Sequence, residues 1–576
     1  MRRIAVSCLW LSFAMALVGA HAALSDRPSG RAVLPSLSLT LKPHATREGL
    51  DYIDAMLVIP TLAVAEGKTL VQMPLVIASI PTVRYDGNAL TASDAKGPIG
   101  LMQKDGAPQS FGTQRDWIAS RATSGPVTLR FRALPRRVDA GTRPGPLFDL
   151  RAEGGGLNGA GLTFLPHLTS QQKYQIRLHW DLAGLPPSYR AVSCLGDGDA
   201  SIEGTSDALT ECYYAVGPLR IYPPGSGKTR RFGIYWLSDT PFDVPAVAAQ
   251  IQKLFQYMSA FFHDAGGSYR VFIRKNPYNS GGGTALRRSF MFGWNAERPP
   301  TVTGMEGLLA HEMTHNWPAL EGEHGDTSWY SEGTAEYYSI LLSWRAGVID
   351  AGEFLKRINQ RARGYYQNPL QSLTLQQADA RYWKESNASY VPYGRGWMYL
   401  AITDAQIRKH SGGKRSLDDL VVTLVDRARR GQSYTLADWV RLVSEELGPH
   451  ARTEYEAMVR GVRLVPPPNA FGPCFRPETF QVRLTDLGFD ESSLLEATKS
   501  IRGVRPGSNA ALAGLKDGDE VVRRSLPDQD DPNREMTLTI RRDGTERVIH
   551  YEPEGKAVEA WRWVRVREIP EADCRY

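Results

Sequence analysis

Alternating apolar and polar residues dominate the first part of the chain, from about residue 33 to residue 224. Glycine and proline interrupt these runs at short intervals. A period of two residues with such turns is typical of antiparallel strands that bury one face. The clearest runs lie at residues 37–41, 127–131 and 174–178. The pattern therefore predicts an N-terminal antiparallel β domain over residues 33–224.

After residue 231 the pattern changes to a mixture of strands and helices. The predicted strands lie at residues 232–236, 271–274 and 289–292, and the first predicted helix lies at residues 244–263. From residue 304 to residue 462 nearly every segment has the helical period. Strands followed by helices are typical of α+β domains. We therefore predict a second domain over residues 229–465, with a helical second half.

Three consecutive prolines at residues 466–468 end the helical region, because proline cannot continue a helix. Residues 475–556 are again rich in strand-like runs and turn residues, and residues 557–576 follow as a C-terminal tail. A chain of 576 residues is long enough for about three domains. The order of patterns predicts a multidomain α+β protein.

The first 22 residues have the composition of a secretory signal peptide. Arg2 and Arg3 precede an apolar stretch at residues 4–18, and small residues at 20 and 22 provide a cleavage site. A membrane anchor is the alternative, although the stretch is short for a span and no second one follows. We expect an exported protein, periplasmic or secreted, with no membrane span after signal removal.

Four cysteines remain beyond the signal, and an even number suits an oxidising compartment. They allow three disulfide patterns, of which the simplest joins Cys194 to Cys212 and Cys474 to Cys574. Buried free thiols are the alternative. None of the four has a C-x-x-C spacing, so we assign none to a metal site.

Composition and charge argue against a disordered protein and against a nucleic-acid-binding protein. Apolar residues make up 42% and charged residues 23% of the chain, which is typical of folded protein rather than disorder. Removal of the two signal arginines lowers the net charge by two, from +6 to +4. A charge this small and dispersed does not predict nucleic-acid binding.

The segment His311-Glu-Met-Thr-His315 lies in an apolar pattern of helical period. Histidines four residues apart share one helical face, where each imidazole can offer a nitrogen to the same ion. Glu312 projects beside them and can accept a proton from a water molecule that the ion activates. This H-E-x-x-H spacing predicts one Zn²⁺ per chain and peptide hydrolysis. A helix with two surface histidines is the alternative.

A second helical pattern begins at Ser331, which is a reasonable N-cap residue. Zinc needs a third protein ligand, and Glu332, 17 residues beyond His315, is the candidate. Glu336 lies one turn further on the same face and could hold the ring N–H of a zinc-bound histidine. A solvated helix residue is the alternative for Glu336.

HEMTHNW followed by WYSEGTAEYY resembles the glycyl aminopeptidase family, whose members are gluzincins with a thermolysin-like catalytic domain and often a C-terminal PDZ domain. The resemblance covers nearly the whole mature chain. It implies zinc held by His311, His315 and Glu332, with Glu312 as general base. It also implies that Tyr393 donates to the developing oxyanion. An ordinary buried tyrosine is the alternative for Tyr393.

One segment departs from the family pattern. The family has a glycine-rich strand of the type G-G-G-x-E-H, whose glutamate would anchor the free amino terminus of a substrate. Here Gly281, Gly282 and Gly283 are present, but Ala285 occupies the glutamate position. The glycines still let a substrate backbone approach an edge strand, whereas alanine cannot pair with an ammonium group. We expect a peptidase that is not a strict aminopeptidase; a glycyl aminopeptidase-type enzyme is the alternative.

The C-terminal segment resembles a PDZ domain in AGLKDGDEVV and in DLGFD. The resemblance implies that Leu487, Gly488 and Phe489 receive the C-terminal carboxylate of a peptide through backbone N–H groups. The expected partners are peptide or protein substrates and a C-terminal peptide ligand of this domain. A non-catalytic, PDZ-containing peptide-binding protein is the rival function, because Ala285 removes one family feature.

Overall fold

The computed structural model describes residues 33–574 except residues 79, 108–111, 143–144, 226–229, 279–280, 298, 383–384, 469, 495–498, 526–534, 567–568 and 571–572. The predicted signal peptide, residues 1–22, lies outside the described residues. Among the helices that the structure describes, none combines the length and the apolar character needed to cross a bilayer.

The described residues of the N-terminal region form a β domain with three sheets, of seven, five and four strands. Alternation sets the burial: Leu37, Leu39 and Leu41 face the core, and the residues between them are partly exposed. The elements are β1 (Ser36–Ala45), β2 (Leu50–Ile59), β3 (Thr69–Ile77), β4 (Ile80–Pro81), β5 (Leu90–Asp94), β6 (Gly97–Ile99), β7 (Leu101–Asp105), β8 (Gly112–Ala119), β9 (Val127–Ala133), β10 (Arg151–Glu153), β11 (Gly156–Ala160), β12 (Tyr174–Trp180), β13 (Arg190–Ser193), β14 (Gly196–Asp197), β15 (Ala200–Gly204), helix α1 (Asp207–Thr210) and β16 (Tyr213–Gly217).

One pair of strands departs from the predicted antiparallel arrangement of this domain. β1 and β12 run parallel, with Leu37 opposite Ile176. More than a hundred residues separate the two strands, so β12 reaches β1 by a long crossover rather than a hairpin. Periodicity within a strand carries no information about the direction of its distant partner.

The second region has a five-stranded sheet and a helical layer. Its sheet order is β17-β18-β19-β21-β20, with β18, β19 and β21 parallel and β20 at one edge. The elements are β17 (Arg220–Tyr222), β18 (Phe232–Trp236), α2 (Val244–Phe261), β19 (Tyr269–Lys275), β20 (Gly282–Leu286), β21 (Ser289–Trp294), α3 (Val302–Thr314), α4 (His324–Arg345), α5 (Ala351–Gln367), α6 (Leu375–Arg381), α7 (Ser386–Ser389), α8 (Val391–His410), α9 (Leu417–Arg429), α10 (Leu436–Leu447) and α11 (His450–Val459).

This sheet is buried on both faces, which explains its continuous apolar strands. Val271 and Ile273 of β19 face the core formed with the helices, whereas Phe272 between them faces the N-terminal domain. A buried ion pair crosses the same boundary, since Arg274 of β19 contacts Asp149 of the N-terminal domain at 3.0 Å. The N-terminal domain therefore fixes the back of the sheet, and the helices cover its front.

The last region contains β22 (Phe475–Thr485), α12 (Asn509–Leu512), β23 (Glu520–Ser525), β24 (Met536–Arg542), β25 (Thr545–Tyr551) and β26 (Glu554–Arg565). β23, β24 and β25 form a small sheet with its own core, which includes Phe489 and Ile501. β22 and β26 instead pair with each other and pack on α5, where Trp563 joins the core of the helical domain.

The predicted boundary between residues 556 and 557 falls inside β26, so residues 557–565 are not a tail. The backbone of Trp563 bonds the side chain of Asn359 at 2.7 and 2.9 Å. Both disulfides of the simplest predicted pattern are present, with Cα–Cα distances of 5.4 Å for Cys194–Cys212 and 5.3 Å for Cys474–Cys574. The second of them ties the end of the chain to the start of β22.

Helices α4 and α8 cross at a point where each helix has a glycine, Gly333 in α4 and Gly396 in α8. A Cβ on Gly396 would lie 1.9 Å from the carbonyl oxygen of Trp329, and a Cβ on Gly333 would lie 2.6 Å from the carbonyl carbon of Gly396. Neither clash can be relieved by turning a side chain, because backbone atoms are on the other side. The helices can be this close only because both positions lack a side chain.

Replacing Gly396 by Ala should therefore separate α4 from α8 and lower the stability of the protein by about 1–3 kcal/mol, the usual cost of overpacking. Urea unfolding followed by tryptophan fluorescence measures the change.

Gly364 of α5 is the matched control, because a Cβ there meets no atom within 4 Å. Gly364→Ala should leave stability unchanged or raise it by up to about 1 kcal/mol, as alanine favours helices. Equal effects of the two substitutions would refute the steric explanation.

Candidate metal centre

Helix α3 carries the first two candidate ligands. Thr301 caps its first turn, since its hydroxyl oxygen accepts the N–H of Gly304 at 3.1 Å. The helix ends at Thr314, so His315 lies at its C-cap and still points to the same side as His311. Their Nε2 atoms are 3.2 Å apart, with the rings nearly perpendicular at 80°. The i, i+4 spacing thus brings both imidazoles to one point.

Helix α4 carries the third candidate ligand and is longer than predicted. It begins at His324, with Glu323 as the N-cap, so the interpretation of Ser331 as an N-cap is wrong. Glu332 lies in the first half of this helix and is buried, and its Oε2 is 3.3 Å from Nε2 of His311 and 3.5 Å from Nε2 of His315. Three ligand atoms from two helices therefore converge.

The chemistry of this group fits a zinc ion. Two imidazole nitrogens and one carboxylate oxygen are the donors of many catalytic zinc sites, which keep a further position open. Burial alone would raise the pKa of Glu332, but the imidazoles of His315 and His311 lower it to about 2. Glu332 is therefore a carboxylate, the form that binds a metal.

Glu312 gives a second test of that fit. It is 1% exposed, and neither of its carboxylate oxygens has a hydrogen-bond partner among the described residues. A buried carboxylate without partners is costly, and such groups in native proteins usually face a ligand, an ion or water. Its neighbours in the helix are the two histidines, so Glu312 adjoins the place where the ion would be held.

The second nitrogen of each histidine has a different partner. His311 Nδ1 is 3.3 Å from Oε1 of Glu336, a contact of the kind by which a carboxylate can orient a metal-binding histidine. His315 Nδ1 is 3.3 Å from the hydroxyl of Ser331. The other oxygen of Glu336 contacts Nε of Arg361 on α5. Glu336 is thus a bridging carboxylate rather than a solvated surface residue.

Tyr393 lies in the first turn of α8, beside the candidate ligands. Its ring is parallel to that of His311, with centroids 6.0 Å apart. Burial, together with the charge of Glu332, raises the pKa of its phenol well above the usual value, so the hydroxyl keeps its proton. The hydroxyl of Tyr393 is hydrogen-bonded to Tyr382. The ring of Tyr390 packs against that of Tyr393, with ring centroids 5.7 Å apart.

The glycine-rich segment forms the edge strand β20. Thr284 points to the N-terminal domain, where its hydroxyl oxygen accepts the N–H of Leu147 at 2.9 Å. Ala285 points the other way and packs on the helical core, on the side of α3. A Cβ on Gly283 would collide with the ring of Phe290. That glycine therefore has a packing role, whereas Gly281 precedes the strand and Gly282 begins it.

The predicted peptide loop lines a cavity whose lining residues do not include the candidate zinc ligands. Leu487 and Phe489 line a cavity of about 350 Å³, whose opposite wall includes Pro369 and Asn387 of the helical domain. Gly488 between them donates its N–H to the side chain of Asp486 at 2.9 Å. The loop therefore lines a cavity at the junction of the helical region and the last region.

Sequence reasoning missed Arg361 and Tyr382, and it gave Ser331 the wrong role. Arg361 comes 25 residues after Glu336, and Tyr382 comes 11 residues before Tyr393, on other helices or at their ends. No local motif marks either residue. Only the packing of α5 and α6 against α4 and α8 brings them to the site.

Comparison with solved structures shows which proteins have a similar fold. An aminopeptidase N family protein from Idiomarina loihiensis superposes with a TM-score of 0.61 over 91% of this chain and 97% of that chain, at 13% identity. This chain shares its fold.

Two further structures are similar over a smaller part of the chain. An M1 zinc metallopeptidase variant from Deinococcus radiodurans, bound to a Tyr-Ser-Ala substrate, has a TM-score of 0.45 and 17% identity over 75% of this chain and 95% of that chain. Leukotriene A4 hydrolase from Saccharomyces cerevisiae has a TM-score of 0.46 and 13% identity over 76% of this chain and 69% of that chain. No protein-family model matches the sequence, and no curated protein matches it.

Proposed function

We propose that the protein is a zinc-dependent peptidase that binds one Zn²⁺ per chain. The observation that carries this proposal is the convergence of His311, His315 and Glu332 beside the partnerless carboxylate of Glu312. A structural zinc site would have four protein ligands and no such carboxylate. The shared fold with an aminopeptidase N family protein supports the same assignment.

The residues around the site can take different roles in hydrolysis. Zinc, when bound, polarises a carbonyl group and lowers the pKa of a coordinated water to about 7. Glu312 accepts a proton on a carboxylate oxygen and returns it to the leaving amine. Tyr393, which keeps its proton, donates a hydrogen bond to the carbonyl oxygen as negative charge develops there. Glu336 and Ser331 orient the two histidines.

The edge strand β20 is a suitable surface for the substrate backbone, because a peptide can add to it as a further strand. Ala285 lies on the side of β20 that faces α3 and offers no charge to a substrate amino terminus. We therefore propose a peptidase that is not a strict aminopeptidase. Two disulfides support the further proposal that it is exported to an oxidising compartment.

Substitution of Glu312 by Gln should lower turnover of a mixed-peptide substrate by about 10⁴-fold, the upper range for a positioned acid–base group. Tyr393→Phe should lower kcat by about 10²–10³-fold, as expected for loss of one oxyanion donor. Both variants should still bind one zinc ion, which metal analysis of the purified protein measures.

Tyr390→Phe is the control for Tyr393, since Tyr390 touches the Tyr393 ring but has no assigned role in hydrolysis. It should leave turnover nearly unchanged. Retained activity in Glu312→Gln would refute the mechanism, and a larger loss in Tyr390→Phe than in Tyr393→Phe would reassign the oxyanion donor.

Hydrolysis of one peptide with a free and with an acetylated amino terminus tests the role of Ala285. The wild-type protein should hydrolyse both forms at similar kcat/KM. Ala285→Glu should favour the free amine by about tenfold or more, because a charged hydrogen bond contributes about 1.5–3 kcal/mol.

Ala285→Gln is the matched control, since it has the same size without the charge and should show a weaker preference. A strong loss of wild-type activity on acetylation would show that another group anchors the substrate amine, and the protein would then be an aminopeptidase.

We further propose that residues 486–553 form a PDZ-like unit that binds the C-terminal carboxylate of a peptide. The cavity beside Leu487 and Phe489 is lined by the cations Arg505 and Lys556. However, the carboxylate of Asp486 already accepts the N–H of Gly488 and pairs with Arg505. The protein's own carboxylate therefore competes for the groups that a peptide carboxylate would use.

Asp486→Asn should consequently strengthen the binding of a peptide with a free C-terminal carboxylate. The same peptide with a C-terminal amide should bind weakly to both proteins. Fluorescence polarisation of a labelled peptide gives the dissociation constants. Equal binding of the acid and amide forms would refute carboxylate recognition at this cavity.

A further inference from the structure

Arg361 reaches the candidate metal centre from α5, a helix that supplies no ligand. Its Nε contacts Oε2 of Glu336, and Oε1 of the same carboxylate lies 3.3 Å from Nδ1 of His311. Nε2 of His311 in turn faces Glu332 and His315. Arg361, Glu336 and His311 therefore form one continuous chain of contacts that ends at the metal position.

The two histidines differ in how firmly their rings are held. His311 has a carboxylate partner that is itself fixed by a guanidinium group. Nδ1 of His315 instead faces the hydroxyl of Ser331, at 3.3 Å. A carboxylate accepts the Nδ1 proton more strongly than a hydroxyl, and it raises the basicity of the nitrogen that binds the metal. The chain of contacts thus makes His311 the more strongly oriented ligand.

We propose that Arg361 is a positioning residue for the zinc ion and acts on His311 through Glu336. Without Arg361, the Glu336 carboxylate would be nearly buried with one oxygen unpaired, and it could rotate away from the imidazole. With Arg361, one oxygen is fixed and the other remains aimed at Nδ1 of His311. This holds the tautomer in which Nε2 of His311 has a free lone pair for the metal.

The location of Arg361 suits this role. Its side chain is 38% accessible, whereas that of Glu336 is 10% accessible, so the guanidinium closes the solvent side of the carboxylate. A guanidinium group stays cationic at neutral pH, so Arg361 keeps its charge beside the carboxylate. Its planar group offers an N–H at a fixed angle, which the flexible ammonium group of lysine does not.

Zinc affinity of the full-length protein, measured by competition with a chelating dye, tests the proposal. Glu336→Gln should weaken binding by about 10–100-fold, the usual effect of losing such a partner. Arg361→Gln should weaken it by about tenfold, at the lower end of that range. In the Glu336→Gln background, Arg361→Gln should have no further effect, because both changes break the same chain of contacts.

Three variants provide controls. Arg363→Gln, on the same helix, should leave zinc affinity unchanged, since the ion pairs that the described residues make with Glu336 involve Arg361 and His311. Ser331→Ala should weaken binding less than Glu336→Gln, because it affects only the more weakly held His315. Arg361→Lys keeps the charge without the fixed N–H and should recover only part of the affinity.

Unchanged zinc affinity in Arg361→Gln would overturn the proposal. It would also be overturned if Arg361→Gln weakened zinc binding equally in the wild-type protein and in the Glu336→Gln variant. Thermal melting of the metal-free variants separates these outcomes from unfolding. The inference rests on the zinc site of the proposed function but not on hydrolysis. Zinc binding that depends on Arg361 in a protein without peptidase activity would refute the function and leave this inference intact.

Discussion

The close crossing of α4 and α8 is the constraint on which the site depends. Gly333 of α4 follows directly after Glu332, and Gly396 of α8 lies three residues after Tyr393. With no Cβ on either helix, the backbones come into contact, and Tyr393 is brought beside His311. The distance between the candidate oxyanion donor and the candidate ligands is therefore determined by two glycines at the helix crossing rather than by a polar interaction.

Helix α3 is then held against this pair by a buried polar contact. Glu306, one turn before the histidines, pairs with Arg357 of α5 at 2.6 Å and accepts the hydroxyl of Ser343 of α4 at 2.7 Å. Removing one partner of such a buried pair is costly, because the other charge is left uncompensated. The arrangement therefore fixes the register of α3, and with it the direction of both imidazoles.

The sequence predicts those features of the site that are local to one helix. The spacing of His311, Glu312 and His315 and the spacing of Glu332 and Glu336 each follow from the helical period. Contacts between distant segments leave no such periodic signal. The parallel pairing of β1 with β12, the packing of β26 on α5, and the positions of Arg361 and Tyr382 depend on tertiary packing, and no motif in the sequence indicated them.

In the proposed function, chemistry and substrate recognition occupy different parts of this fold. The candidate ligands and the base belong to buried helices whose packing tolerates little change, as the contacts of Glu306 and Gly396 show. Ala285 belongs to an edge strand and is only partly buried against α3, so a different side chain there leaves the contacts of Glu306 and Gly396 in place. In the proposed function, Ala285 in place of an amine-anchoring glutamate changes the part of a peptide that the site selects, while the candidate zinc ligands and Glu312 are retained.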